Sequence, residues 1–199
     1  MITVAAIMPT IKSHARFRAT AEACFAAQVV PADWFVNLMI DENETESLGK
    51  KLNRMLAGCV TLGIDYAVLW DDDDYHSKDR IRRQIEPLLV PGGIAQVSGS
   101  SKVYYHVDGT ENAWLYTGDP AIWLYGLAFP VSTWQKFPFE DISRGVDTVW
   151  LKKNIPPGHR FDVNDPAMSI ATAHPANTCR KHFTGPNWSS VDMEKIKCR

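Results

Sequence analysis

Three apolar runs of strand length, each closed by polar residues and followed by helical spacing, constrain this 199-residue chain more than any other feature. Residues 2–8 (ITVAAIM) end at Pro9-Thr10, residues 34–40 (WFVNLMI) at Asp41-Glu42, and residues 66–70 (YAVLW) at Asp71-Asp72-Asp73-Asp74. Helical spacing appears in 15–29 (Phe17, Ala21, Cys24, Phe25, Val29), in 45–62 (Leu48, Leu52, Met55, Leu56, Cys59, Leu62) and in 78–90 (Ile81, Ile85, Leu88, Leu89). This β-α-β-α-β-α alternation predicts an α/β fold with a central, mainly parallel twisted sheet flanked by helices. Right-handed crossovers then bring the three strand ends to one edge. Thr10, Asp41 and the Asp run are predicted to meet there, at the edge where open α/β sheets bind ligands.

Four adjacent carboxylates repel one another, and a fold gathers them most readily around a cation. Mg²⁺ or Mn²⁺ uses one or two carboxylates plus substrate phosphate oxygens, so the run predicts a metal–diphosphate site. The alternative is a solvated loop or a helix start, with Ser77 capping a helix from about Lys78 and with Asp74 and Asp79 at its positive end. The junction with a buried strand favours the site.

The second half has a different texture. Residues 95–106 read as one long strand, Asp108-Gly109 as a hairpin turn and 113–117 as the returning strand. An apolar segment follows at 122–130, broken by Gly126, then short helices at 132–137 and 147–153, short segments at 160–163 and 168–173, and a polar tail. We read a single domain over 1–199: a nucleotide-binding half (1–94), an acceptor and catalytic half (95–182), and a C-terminal tail (183–199).

Composition narrows the class. A net charge of −2 gives no global basic field of the kind that marks nucleic-acid binders. Basic patches at Arg80/Arg82/Arg83, Lys50/Lys51/Arg54 and Arg180 to Arg199 read as solvated faces and a polar tail. Cys24, Cys59, Cys179 and Cys198 lack zinc-type spacing, and the first two fall on buried helical positions. A reducing, cytoplasmic location is expected. No signal peptide and no membrane span are read from the sequence.

The order of motifs resembles family 2 glycosyltransferases of the GT-A fold over about residues 2–182. The match runs through Met8-Pro9-Thr10, Asp41-Glu42, Lys51 to Asn53 and Leu69-Trp70-Asp71-Asp72-Asp73-Asp74. It continues through Gly126-Leu127-Ala128-Phe129, Phe137-Pro138-Phe139, Ser143 to Thr148 and His174-Pro175-Ala176-Asn177-Thr178. The resemblance implies an inverting, metal-dependent, hexosyltransferase-like enzyme using a nucleotide sugar, a UDP-sugar first among them. By that resemblance Pro9 and Thr10 hold the nucleoside, and Asp41 bonds the base or ribose. Asp71 and Asp73 are the outer carboxylates of an Asp-x-Asp motif, with Asp73 the leading metal ligand and Asp74 next to it. Asp72 turns toward the sheet edge or the ribose. Asp147 is the general base, and His174 completes the metal or diphosphate site. One departure is plain: Val146 stands where the family has a Glu before the base.

Each of these residues has a simpler reading beside the functional one. Asp147 also fits a helix start, His174 a hydrogen-bonded structural histidine, and Asp41 a helix cap. Lys51, Asn53 and Arg16 fit exposed helix faces as well as substrate contacts. The seven tryptophans are read mostly as core, with Trp123 and Tyr125 as the ligand-facing candidates because they precede Gly126, where backbone can approach a ligand. The acceptor is an open hydroxyl: a small molecule, a glycan, a protein, or a modified nucleic-acid base. A nucleotidyltransferase of related fold and a non-catalytic nucleotide-sugar-binding protein are the alternatives. The first would carry a glycine-rich basic loop after the first strand, which Met8-Pro9-Thr10-Ile11-Lys12 is not.

Overall fold

A computed structural model describes residues 1–177 and 181–197, with the Lys195 and Lys197 side chains left out. Thr178, Cys179, Arg180, Cys198 and Arg199, named above in motifs or patches, lie outside the described residues.

The chain begins with β1 (Ile2–Pro9), a 3₁₀ turn (Lys12–His14), α1 (Ala15–Ala26), β2 (Trp34–Asp41), α2 (Leu48–Thr61) and β3 (Tyr66–Leu69). β1 lies between β2 and β3 and pairs with both in parallel. Its residues Val4 to Met8 are fully buried because helices cover both faces of the sheet. Ala5 and Ile7 pack with Leu52, Met55, Leu56 and Cys59 of α2. Val4, Ala6 and Met8 pack with Ala21 and Cys24 of α1, and with Ile81 and Ile85. One continuous apolar run thus serves two cores, which is why it lacks period-two alternation. Ser47, not Asp41, caps α2: its hydroxyl accepts from the Lys50 N–H at 3.2 Å.

After the Asp run come β4 (Tyr75–His76), α3 (Arg80–Ile85) and a 3₁₀ turn (Glu86–Leu89), then β5 (Val97–Ser100), β6 (Lys102–Val107) and β7 (Ala113–Thr117). β8 (Tyr125–Pro130), α4 (Val131–Lys136), α5 (Val146–Asn154), a 3₁₀ turn (Pro157–His159), β9 (Arg160–Asp162), β10 (Ser169–Ala173), β11 (Trp188–Val191) and α6 (Glu194–Lys197) complete it. The six-stranded sheet has the order β2-β1-β3-β8-β5-β9, with β8 antiparallel to both neighbours. A five-stranded sheet has the order β11-β7-β6-β10-β4.

Three expectations are corrected. The long strand over 95–106 is two strands in different sheets. The register shifts between Ser98 and Ser100, and buried Ser101 breaks the run, its N–H and hydroxyl donating to Asp162 at 2.8 and 2.6 Å. Ser77 does not cap α3. Its N–H is drawn to Met168 O at 3.0 Å and its hydroxyl to Asp79, so the helix starts at Arg80. The polar tail contributes an edge strand and a helix. Trp188 and Val191 line up on β7, and Met193 and Ile196 bury against Ala113.

Candidate active site

The Asp run spans the gap between the two sheets, since β3 belongs to one and β4 to the other. Thr10 ties the neighbouring strand ends to it. Its N–H donates to Asp41 O at 2.8 Å, its carbonyl accepts from Lys51 Nζ at 3.0 Å, and its hydroxyl donates to Asp72 Oδ2. Thr10 thus joins Asp41 through its backbone and the Asp run through its side chain.

The four aspartates divide by parity. Asp72 and Asp74 are buried and their oxygens are occupied. Asp72 accepts from Thr10 and from His14 Nδ1 at 2.9 Å. Asp74 accepts from the Tyr125 hydroxyl and from the Thr172 N–H at 2.8 Å. Burial, with Asp73 and Asp71 adding to it, pushes the Asp74 carboxyl well above the ordinary range. Asp71 and Asp73 are only half-buried. Asp73 Oδ2 accepts from His174 Nε2 at 3.0 Å and Asn177 Nδ2 at 2.9 Å. The Asp71 carboxyl is pushed up to about 6, first by burial and next by Asp73, with Arg80 opposing.

Ligand atoms of His14, Asp73 and His174 lie within 4.8 Å of one another. Two imidazoles and a carboxylate suit a divalent ion such as Mn²⁺, and the set fits the metal that the sequence implied once His14 gives up one of the two bonds its ring makes here. The set differs from the predicted one. Asp74 is committed to Tyr125 and Thr172, and His14 was not foreseen. His14 Nδ1 faces Asp72, and its Nε2 faces Ala176 O at 3.3 Å. The Asp72 hydrogen bond raises its pKa. Phe17 stacks on the His174 ring at 4.2 Å between centroids and fixes its plane.

Asp147 lies in the first turn of α5, after Gly145 at φ +62°. Burial raises its pKa, while the N–H groups of Thr148 and of Asp147 itself and the charge of Lys181 oppose the rise. Its carboxyl therefore supports the helix start and faces the cavity as well. Arg160 secures the other end of α5 by donating to the carbonyls of Leu151 and Ile155, at 3.0 Å and 2.9 Å. A cavity of about 250 Å³ gathers Pro9, Thr10, His14, Lys51, all four aspartates, Tyr125, Gly126, Asp147 and Lys181 among its lining.

Five predicted site residues fall outside that lining: His174, held by Asp73 as described, and Asp41, Arg16, Asn53 and Trp123. The Asp41 carboxylate accepts from Arg54 Nε at 3.0 Å and Asn43 N–H at 3.0 Å. Arg16 is exposed and pairs with Asp108 at 2.6 Å. Asn53 bolts α2 to the 137–139 turn, donating to Phe139 O at 2.9 Å and accepting from Trp134 Nε1 at 2.8 Å. Trp123 packs edge-on against Tyr116 at 4.9 Å. His14, Asn177 and Lys181 went unforeseen as site residues. His14 follows the Thr10 loop by four positions, and Asn177 stands in the quoted His-Pro-Ala-Asn motif. Nothing local marks Lys181.

No protein-family model matches this chain, and no curated protein matches it. Solved structures do. The chain is similar to Staphylococcus aureus TarS 1–349 in complex with UDP-GlcNAc, with 14% identity, a TM-score of 0.62, and coverage of 89% of this chain and 60% of that one. It is similar to glucosyl-3-phosphoglycerate synthase from Mycobacterium tuberculosis in complex with Mn²⁺, UDP-glucose and glycerol 3-phosphate (14%, TM-score 0.56, 88% and 73% covered). It also resembles the mannosyltransferase PcManGT from Pyrobaculum calidifontis in complex with GDP-Man and Mn²⁺ (13%, TM-score 0.56, 85% and 56%). The chain thus has the α/β fold of GT-A glycosyltransferases and spans about 60% of the length of the TarS 1–349 structures. No helix among the described residues is long and apolar enough to cross a membrane.

Proposed function

We propose that this chain transfers a glycosyl group from a nucleoside-diphosphate sugar to a hydroxyl acceptor, with inversion, as a metal-dependent glycosyltransferase of the family 2 type. The observation that carries the reading is one cavity, at the end of the parallel strands, lined by His14, Asp73 and the separate carboxyl of Asp147, with His174 hydrogen-bonded to Asp73 beside it. The solved structures of the same fold bind UDP-GlcNAc, UDP-glucose with Mn²⁺, and GDP-Man with Mn²⁺, which supports the donor class.

Each residue then has a task. Pro9, Thr10 and Lys51 form the nucleoside wall, and the Lys51 ammonium, which carries three N–H donors and gives one to Thr10 O, can turn others to the donor substrate. Asp73, His174 and His14 would hold Mn²⁺ or Mg²⁺, with Asp71 as the second half-buried carboxylate of the run. When bound there, a divalent ion would supply positive charge against the leaving diphosphate. Asp147 takes the proton of the acceptor hydroxyl. Burial lifts its pKa, which makes it a stronger base than an exposed carboxylate. Gly126 and Tyr125 border the sugar. Val146 is buried in the main core, so Asp147 is the carboxylate of that turn that serves the reaction.

The test is hydrolysis of a panel of nucleotide sugars with Mn²⁺, since slow hydrolysis reports the donor without the acceptor. Asp147→Asn should sharply lower transfer with nucleoside diphosphate binding intact. Calorimetry with Mn²⁺ showing no binding of any nucleoside diphosphate would end this reading.

A further inference from the structure

Directly behind the Asp run lies a guanidinium with no exposure at all. Arg80 is fully buried, and it donates hydrogen bonds to neutral groups: Gln84, His76, Leu69 O and Gly126 O. Nε donates to Gln84 Oε1 at 3.0 Å, and Nη1 donates to His76 Nδ1 at 2.6 Å. Nη2 donates to Leu69 O at 2.5 Å and to Gly126 O at 3.4 Å. The cation also lies 4.8 Å over the Trp70 ring. Removing a guanidinium from water is costly, and a merely structural cation would be expected to face a carboxylate directly. This one divides its donors between two neutral side chains and two backbone carbonyls instead.

The partners extend the same grip. Arg80 has only donors, so His76 Nδ1 must accept and the ring proton sits on Nε2. Nε2 donates to Asp71 O at 2.9 Å. Gln84, oriented by Arg80 through its carbonyl, donates its amide to Gly126 O. Carbonyls of Leu69, Asp71 and Gly126 are thereby pinned to one side chain and its two neighbours. Gly126 has φ +61°, and a Cβ there would lie 2.6 Å from Arg80 Nη2. The glycine and the arginine therefore occupy one another's space.

We propose that Arg80 is a positioning residue: its fork fixes the distance between the end of β3 and the Gly126 turn of β8, and through His76 the Asp71 backbone. The wall of the cavity that borders the donor sugar is then rigid before any ligand binds. This rests on the glycosyltransferase reading for its effect on rate, but not for its effect on rigidity.

The experiment compares wild type with Arg80→Lys, Arg80→Met and Gln84→Met. It measures kcat and KM for donor hydrolysis with Mn²⁺, UDP affinity by calorimetry, and hydrogen exchange of segments 69–76 and 124–128. Lysine keeps the charge but lacks the planar fork. Both Arg80 variants are therefore expected to lose on the order of 10²-fold in kcat, the usual cost of a small misplacement. UDP, which carries no sugar, should bind within a few-fold of wild type. Gln84→Met should lose less, and should still be readable if the Arg80 variants do not fold. Exchange should quicken in the two segments and stay unchanged in β1 and β2. Wild-type kcat in Arg80→Lys would show that charge alone suffices, and unaltered exchange in the foldable variants would overturn the inference outright. A wild type that hydrolyses no nucleotide sugar counts against the transferase reading, and the exchange measurement then still decides the role of Arg80.

Discussion

Replacing Asp71 by Asn should stabilise the metal-free protein. The Asp71 carboxyl is pushed from 3.8 to about 6, chiefly by burial. A raised folded pKa means that the native state holds this proton longer than the unfolded chain. The group's contribution to stability therefore falls as pH rises from about 4 through about 6, and stays low above that. The rise is about 2 units, and at 1.36 kcal/mol per unit the penalty reaches about 3 kcal/mol at pH 8. Asn keeps the shape and the Asp71 carbonyl that His76 holds, but carries no charge. For a chain of this size the gain corresponds to a melting point roughly 6–12 °C higher. The assay is thermal melting in EDTA at pH 8 and pH 4. The difference should be full at pH 8 and shrink below about 1 kcal/mol at pH 4. A variant that melts at or below wild type at pH 8, or a difference independent of pH, would refute the electrostatic account of the run.

Other outcomes follow from the same geometry. Asp147→Asn should lower transfer by roughly 10²–10⁴-fold, the usual range for a general base, while UDP binding persists; a wild-type rate removes Asp147 from the mechanism. The raised Asp147 pKa places the acid limb of the rate profile above the ordinary carboxylate range, and a pH series of kcat/KM reads it. Asp73→Asn should lose the Mn²⁺-dependent rise in melting point that UDP produces in wild type, whereas Asp41→Asn should retain it. Asn53→Ala should destabilise by roughly 1–3 kcal/mol in denaturant melts, because it leaves buried Trp134 and Phe139 groups unpaired, with KM for the donor unchanged.

The first half of the fold was legible because hydrophobic periodicity there is strong and the polar breaks are unambiguous. Residues 95–106 were not, because a strand that changes sheets at Ser101 keeps the same apolar pattern on both sides of the crossing. The Asp run was recognisable as a candidate site, but the parity of its side chains was not. Which carboxylates are tied down depends on Thr10, His14, Tyr125 and Thr172, all distant in sequence. Asp41 shows the converse: it stands at the predicted edge, yet a neighbouring arginine on α2 takes its carboxylate. Arg80 was read as part of a solvated basic patch, and only the third dimension distinguishes it from Arg82.

The ties that finish the cavity span long stretches of chain. Asp74 to Thr172, Asp73 to His174 and Asp73 to Asn177 close loops of 98, 101 and 104 residues. Contacts of that separation form after local ones and lose the most chain entropy on closing. The first three strands can therefore assemble before the cavity exists, and the 169–177 segment can detach without melting them. On this view activity is lost by partial opening at lower temperature than the main core unfolds, so an enzyme held near its melting point should fail first as a catalyst and only later as a folded protein.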